Sequence, residues 1–171
     1  MAEEPKENEQ PEGTEAPKPA PSKEPSSIWE TLEPIVTIAG TWAWVIAALN
    51  GLISIIMIFV TLSPWLPLLT NPLYAQFIPW ATIVWYIIVA IVEVLFAIAI
   101  LRPRFSNKCK EQDWDYLLND VLVLGNFRFP WMFVWAIILT IFSWSYWGGA
   151  AVWFCAFVII FMGPKPYQWT E

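Results

Sequence analysis

The sequence predicts an all-α integral membrane protein, a bundle of four transmembrane helices that follows a disordered, acidic, proline-rich N-terminal tail. Hydrophobic residues make up 57% of the chain and charged residues only 14%, compared with about 25% charged residues in soluble domains. The charge is also segregated: residues 1–34 contain nine acids and three lysines, which accounts for the whole net charge of −6. Long uncharged runs behind a charged extension are typical of a membrane domain with a solvated tail.

The tail is predicted to cover residues 1–27, and the membrane domain residues 28–171. The tail combines many glutamates with six prolines and contains no aromatic or branched aliphatic residue. Such a segment cannot bury enough apolar surface to offset the entropy lost on ordering. We therefore expect it to be disordered and cytoplasmic.

Apolar runs define the four expected spans. The run 35–62 contains no charged residue, and the run 77–101 contains one, Glu93. A spanning helix needs about 20 residues, so each of these runs can cross once. The last run, Phe129–Gly163, is longer, and the Gly148-Gly149 pair is a natural place for a turn. We expect helices over 130–147 and 150–163; the alternative is one long tilted helix of about 50 Å.

The distribution of lysine and arginine predicts the orientation. The connection 63–76 and the Gly148-Gly149 turn contain no basic residue, whereas the tail, the 102–128 loop and the C-terminus contain all of them. Four spans place these three regions on one side, and the positive-inside rule makes that side cytoplasmic. Because the last two helices are short, a thin endomembrane such as the endoplasmic reticulum or Golgi is favoured over the plasma membrane.

The thirteen tryptophans are expected mainly at the two membrane interfaces, where an indole has both apolar and polar surroundings. Within the cytoplasmic loop, residues at about 112–124 have the spacing of an amphipathic helix. We expect this helix to fold back on its own bundle. Its predicted apolar face consists of Trp114, Leu117, Leu118 and Val121, and the expected interfacial tryptophans are Trp65, Trp80, Trp144 and Trp147 outside and Trp29, Trp131 and Trp169 inside.

Small residues repeat every four positions along the first span. A stripe of this kind lets two helix backbones approach closely, which is the usual basis of helix association in lipid. The pattern leaves open whether the partner helix belongs to the same chain or to another. The stripe consists of Ala39, Ala43, Ala47 and Gly51.

Polar residues within the spans are the candidate functional residues. Asn50 and Ser54 lie beside the stripe, and counting from the cytoplasmic ends of the runs places Asn50 level with Tyr86. Glu93 is the most informative, because a carboxylate inside a span costs about 2.5–3.5 kcal/mol on insertion scales. Three interpretations are open: a proton or cation site, a bond to another subunit, or a protonated acid hydrogen-bonded within the bundle. The same counting offers Thr41, Trp42 or Trp44 as its neighbour.

The composition argues against several classes of function. The chain has no histidine, which removes the commonest general base and metal ligand. We find no nucleophile beside a base and no basic surface for nucleic acid, so we expect no enzyme activity, no cofactor and no metal. The two cysteines, Cys109 in a charged loop and Cys155 in a span, are expected to be about half a bilayer apart and unpaired.

These patterns favour a non-enzymatic accessory or scaffold subunit of a larger membrane complex, whose partners are the lipid bilayer and other membrane subunits or further copies of itself. One alternative is a small oligomeric ion channel or a proton- or cation-coupled transporter centred on Glu93. The run Ile91-Val92-Glu93-Val94 near the cytoplasmic end of the second of four helices, followed by a loop with a short helix, resembles the Flower-type tetraspan vesicle proteins. That resemblance covers only this run and the general layout, and it implies a second alternative, a tetraspan vesicle-trafficking protein.

Overall fold

A computed structural model describes residues 27–69, 71, 73, 76–143 and 147–170. The predicted disorder of residues 1–26 and the predicted interfacial position of Trp144 lie outside the described residues. The described chain is mostly helical and contains one small β-hairpin, so the expectation of an all-α fold needs that correction.

The first helix, α1, spans Ser27–Leu62 and continues as a 3-10 helix over Ser63–Leu68. It begins well before the predicted span, and its first turns pack against elements that follow the second helix. Trp29, expected at the membrane interface, is buried and makes an edge-to-face contact with Trp114, with ring centroids 5.4 Å apart. The start of α1 is therefore set by tertiary packing, which the hydropathy of the apolar run does not predict.

The second helix is longer than the run that predicts it. α2 covers Trp80–Phe96, continues as a π-helix over Ala97–Ser106 and ends in α3, Asn107–Lys110. Pro103 lies inside the π-helical segment, where the wider turn accommodates a ring that lacks an N–H and would clash with the preceding turn of an α-helix. The helix therefore continues past Pro103 to Lys110, and the helix end expected near residue 101 is wrong.

The segment 112–130 contains a helix followed by a hairpin. α4 spans Trp114–Asn119, and the strands β1, Val121–Leu124, and β2, Phe127–Pro130, pair antiparallel. The helix expected over about 112–124 is therefore limited to its first half, since Asp120 takes an extended backbone and β1 begins after it. Gly125 has a φ of 64° at the first position of the two-residue hairpin loop, as in a type II′ turn, and does not cap a helix.

The two remaining helices are short. α5 covers Trp131–Ile141 and α6 covers Ala150–Met162. Their rises are about 16 and 20 Å, and α5 ends well before the predicted limit of 147 because the helical backbone stops at Phe142. Within the described residues, two helices are long and apolar enough to cross a membrane, Ile28–Leu68 and Trp80–Lys110.

α1 lies at the centre of the fold. It packs against α2, the π-helical segment, α3 and α6. The C-terminal segment packs on the hairpin: Arg128 donates its backbone N–H to the carbonyl of Trp169 (2.8 Å), and the Tyr167 hydroxyl donates to the carbonyl of Arg128 (2.8 Å). With α3 and α4, which contact each other and the hairpin in sequence, these residues form a cap at one end of the fold.

Candidate functional site

Four parts of the chain bring polar groups together around Glu93. Asn50 and Gly51 come from the middle of α1, Glu93 from α2, Ser143 from the residues after α5, and Gly148 from the turn before α6. Glu93 has no exposed surface, and Asn50 and Ser143 are also buried. The cluster therefore lies inside this chain, at the junction of α1, α2 and the α5–α6 turn.

Ser143 links these elements by hydrogen bonds. Its hydroxyl donates to Oδ1 of Asn50 at 3.0 Å and accepts the backbone N–H of Gly148 at 2.8 Å. Ser54, one turn along α1, donates its hydroxyl to the backbone carbonyl of Asn50 at 3.3 Å. In a low-dielectric interior such a network favours one arrangement of the helices, because each broken bond leaves an unpaired polar group.

The carboxyl group of Glu93 is the exception in this network. The Ser143 hydroxyl lies beside it, but a hydroxyl has one proton and that proton is donated to Asn50. Within the described part of the chain, neither carboxylate oxygen has a hydrogen-bond partner. A buried ionised carboxylate without partners is costly, because the charged form loses its hydration.

Two glycines make room for Glu93. A Cβ on Gly51 would lie 2.9 Å from Cγ2 of Val94 and 3.2 Å from Cβ of Glu93. A Cβ on Gly148 would overlap Oε1 of Glu93 and lie 3.1 Å from Oγ of Ser143. Each site therefore leaves no space for a side chain, and the cluster depends on close backbone approach at both positions.

The small-residue stripe packs within the chain. Ala43, Ala47 and Gly51 are buried, and Ala39 is half-buried. Gly51 faces α2, which supplies Ala90, Glu93 and Val94 as its neighbours. The partner helix that the sequence left open is thus α2 of the same chain at this end of the stripe.

The neighbour expected for Glu93 from depth counting is not the one in the structure. Ser143 donates a hydrogen bond to Asn50, and Tyr86 lies half-buried on α2, one turn before Ala90; the expected contact between Asn50 and Tyr86 stays a prediction. Glu93 packs beside Gly51, about 15 Å along α1 from Thr41, and Thr41 is half-buried away from it. Trp44 instead lies under the guanidinium of Arg102, 4.9 Å from the ring centroid. Because α2 and its extension remain helical to residue 110, the C-terminal end of the second apolar run and the N-terminal end of the first do not lie at equal depth.

The separation expected for the two cysteines is also wrong. The Sγ atoms of Cys109 and Cys155 both lie within 3.6 Å of the point where a Cβ on Gly40 would be. Both thiols are buried and unpaired, and Cys155 lies 3.6 Å from the carbonyl of Val36. Cys109 belongs to α3 rather than to a loop, which brings it alongside α1 and α6.

Polar contacts attach α4 to α1 and to the end of α3. The indole N–H of Trp114 donates to Oε1 of Glu33 at 2.9 Å, and Asp113 caps α4 by accepting the N–H of Tyr116. The hydrogen bond from Lys108 to Asp113 holds the pKa of that carboxyl below its usual value, and burial raises the pKa of Asp120 and that of Tyr167. These groups stabilise the cap.

No metal site is found among the described residues, because no group of three or more His, Cys, Asp or Glu side chains there could hold a metal ion.

Sequence reasoning did not identify Ser143, Gly148 or Gly40 as site residues. Ser143 is a lone hydroxyl at the end of an apolar run, and Gly148 was interpreted only as a turn residue. One available signal was the pairing of a turn glycine with an intramembrane acid, since a missing Cβ can accommodate a carboxylate. Comparison with protein-family models, with curated proteins and with solved structures finds no match to this chain.

Proposed function

We propose that this chain is a multi-pass integral membrane protein that acts as a non-catalytic accessory or scaffold subunit of a larger membrane assembly. Its N- and C-termini lie in the cytoplasm, because every basic residue belongs to the tail, the 102–128 region or the C-terminus. The four-span bundle and an arrangement with two spans both have this orientation, since both span numbers are even. Because the last two helices are short, a thin membrane such as that of the endoplasmic reticulum or Golgi is favoured over the plasma membrane.

The observation that carries the proposal is the large apolar surface that α1 and α2 leave uncovered. The polar residues and the small-residue stripe of these helices are used inside the chain, whereas their outer faces expose isoleucine, leucine and phenylalanine side chains. A groove of about 420 Å³ runs between the two helices, and it is lined by Leu52, Ile55, Ile58, Ile87, Ala90, Ile91, Val94 and Leu95.

The groove fits an apolar transmembrane helix of another subunit. Its lining contains no charged or hydrogen-bonding side chain, so a partner would pack there by van der Waals contact, as helices do in lipid. The lining extends along about two turns of each helix. An accessory subunit needs such a surface, whereas an enzyme needs reactive groups in a cleft.

The experiment is extraction of the full chain in a mild detergent, followed by size-exclusion chromatography and mass spectrometry of the co-eluting proteins. We expect a stoichiometric set of other membrane proteins. Ile55→Trp should fill the groove and release them, whereas Ile53→Trp should not; both isoleucines are 39% exposed, and only Ile55 lines the groove. A chain that elutes alone, or one whose partners are insensitive to both substitutions, contradicts the proposal.

A second candidate function, proton- or cation-coupled transport, is favoured by one observation: Glu93 is buried with both oxygens unpartnered in the described part of the chain. A bound proton satisfies such a group most simply. Ion flux in vesicles that contain only this protein should then be lost in Glu93→Gln. Flux that is absent from the wild type, or unchanged in the variant, excludes this candidate.

A further inference from the structure

A cleft opens on the cap between α4, β2 and the C-terminal segment. Its volume is about 240 Å³. A single water needs only about 10–15 Å³, so the cleft has room for a much larger polar group. Unlike the groove between α1 and α2, it is lined mainly by polar and charged side chains. The lining residues are Asp115, Leu118, Asn119, Arg128, Lys165, Pro166, Tyr167 and Gln168.

Arg128 brings to this cleft a positive charge that no described protein group satisfies. Its Nε is buried and has no hydrogen-bond partner within the described residues. The salt bridges in that part of the chain are formed by Lys108 and Lys165, not by Arg128. A guanidinium keeps its charge in proteins, and a buried donor without an acceptor costs free energy. An anionic acceptor from outside the chain would remove that cost.

The backbone of Arg128 is held by hydrogen bonds on both sides. Its N–H donates to the carbonyl of Trp169 and its carbonyl accepts the Tyr167 hydroxyl, each at 2.8 Å. Within the hairpin it is paired with Val123. The charge is therefore carried by a hydrogen-bonded strand, so little ordering of the backbone is needed when a ligand binds.

The charges that line the cleft favour an anion. Arg128 and Lys165 are positive, and Asp115 alone is negative. The ammonium of Lys165 contacts both carboxylate oxygens of Asp115, at 2.7 and 2.9 Å, so the charge left without a counterion is that of Arg128. Both side chains of this ion pair are about 60% exposed, where water and salt weaken the attraction. Lys165 is therefore free to turn towards a ligand.

We propose that this cleft is a binding site for a phosphate group, held by the guanidinium of Arg128 and the ammonium of Lys165. A guanidinium donates two parallel hydrogen bonds to two oxygens of a phosphate, and an ammonium binds a third oxygen as a point charge. The Asp115 carboxylate repels the phosphate and limits its affinity. Such a group is supplied by a phospholipid headgroup or by a soluble phosphate. The site requires neither a partner subunit nor Glu93, so it goes beyond the proposed function.

The test is isothermal titration calorimetry of the full chain in maltoside micelles, which contain no phosphate. One arm titrates inorganic phosphate, and the other titrates short-chain phosphatidic acid. We expect saturable binding of phosphate in at least one arm. Tighter binding of phosphatidic acid identifies a lipid headgroup as the ligand, and equal affinities identify a soluble phosphate. Absence of binding in both arms overturns the proposal, and acetate that binds as tightly as inorganic phosphate overturns the assignment to phosphate.

Two variants with the same change of charge separate the site from general electrostatics. Arg128→Gln should weaken binding by about tenfold or more, because a charge-assisted pair of hydrogen bonds is lost. Arg104→Gln is the control: this arginine is exposed and does not line the cleft, so the affinity should stay unchanged. Equal affinities of the wild type and Arg128→Gln, or equal losses in the two variants, overturn the proposal. Lys165→Gln, at an exposed position, replaces Arg128→Gln if that variant does not fold, and it should also weaken binding.

Asp115→Asn gives a change that misfolding does not imitate. The substitution removes the carboxylate that repels a phosphate and releases Lys165 from its ion pair. We expect tighter binding in both arms that show it, whereas damage to the cap would weaken binding. An affinity equal to or below that of the wild type contradicts the placement of the phosphate beside Asp115.

Discussion

Gly148→Ala tests the contact on which the buried polar cluster depends. The added methyl group would overlap Oε1 of Glu93, and Oγ of Ser143 and the carbonyl of Leu139 lie 3.1 and 3.3 Å from it. Among the described glycines, a left-handed backbone occurs at Gly125, so alanine at 148 meets no backbone strain of that kind. Any cost must therefore arise from crowding against these atoms.

The cost follows from two effects. Inserting a methyl group into a closely packed interior costs about 1–3 kcal/mol. Movement of Gly148 away from Glu93 also weakens its 2.8 Å bond to Ser143, a loss of about 0.5–1.5 kcal/mol. We expect a total of about 2–4 kcal/mol. In a Glu93→Ala background the overlap is removed, and the same substitution should cost about 1 kcal/mol or less.

The measurement is reversible unfolding by SDS in mixed micelles, followed by tryptophan fluorescence, for the wild type, both single variants and the double variant. The effect of Glu93→Ala itself cancels in this cycle. A coupling energy below about 0.5 kcal/mol, the range of independent sites, would refute the contact between Gly148 and Glu93. Gly51→Ala is a comparison at the same interface: its Cβ would meet a Val94 methyl at 2.9 Å, Cβ of Glu93 at 3.2 Å and the carbonyl of Ala90 at 3.3 Å, none of which is a carboxylate oxygen, so truncating Glu93 to alanine should relieve its cost less than that of Gly148→Ala.

Three further outcomes are expected. Cys109 and Cys155, both fully buried, should resist a maleimide in mild detergent and react completely after denaturation; reaction of the folded protein would contradict their packing. Trp114→Phe removes the 2.9 Å hydrogen bond to Glu33 and should lower the free energy of unfolding by about 1–2 kcal/mol. Hydrogen exchange in α4 should become faster; exchange equal to that of the wild type would show that this bond does not hold the helix. The folded-state pKa of Asp113 lies below its ordinary 3.8. Its stabilising contribution is therefore complete above pH 3.8 and is lost as the pH falls through the folded-state pKa. The stabilities of the wild type and Asp113→Asn should accordingly converge in acid and not at neutral pH.

The sequence alone determined the features that depend on composition and local pattern. Two apolar runs longer than about 20 residues, one without a charged residue and one with Glu93 alone, predicted the two long apolar helices, and both are present. The apolar spacing of Trp114, Leu117, Leu118 and Val121 predicted a short helix with these side chains on one face. The first three are buried on α4, whereas Val121 begins β1 and is wrongly placed by that prediction. These features are visible in the sequence because hydrophobic period and run length are properties of contiguous residues.

Tertiary structure alone decided which elements meet and where they end. Depth counting from the runs paired Glu93 with Thr41, but a π-helix around Pro103 continues the second helix to residue 110 and shifts that register, so that Glu93 lies beside Gly51. The same extension brings Cys109 next to Cys155 at Gly40. Contacts between residues far apart in the chain decide where the helices end, their register, and the association of Ser143 and Gly148 with Glu93. No local sequence pattern predicts those contacts, because they exist only after the helices have packed.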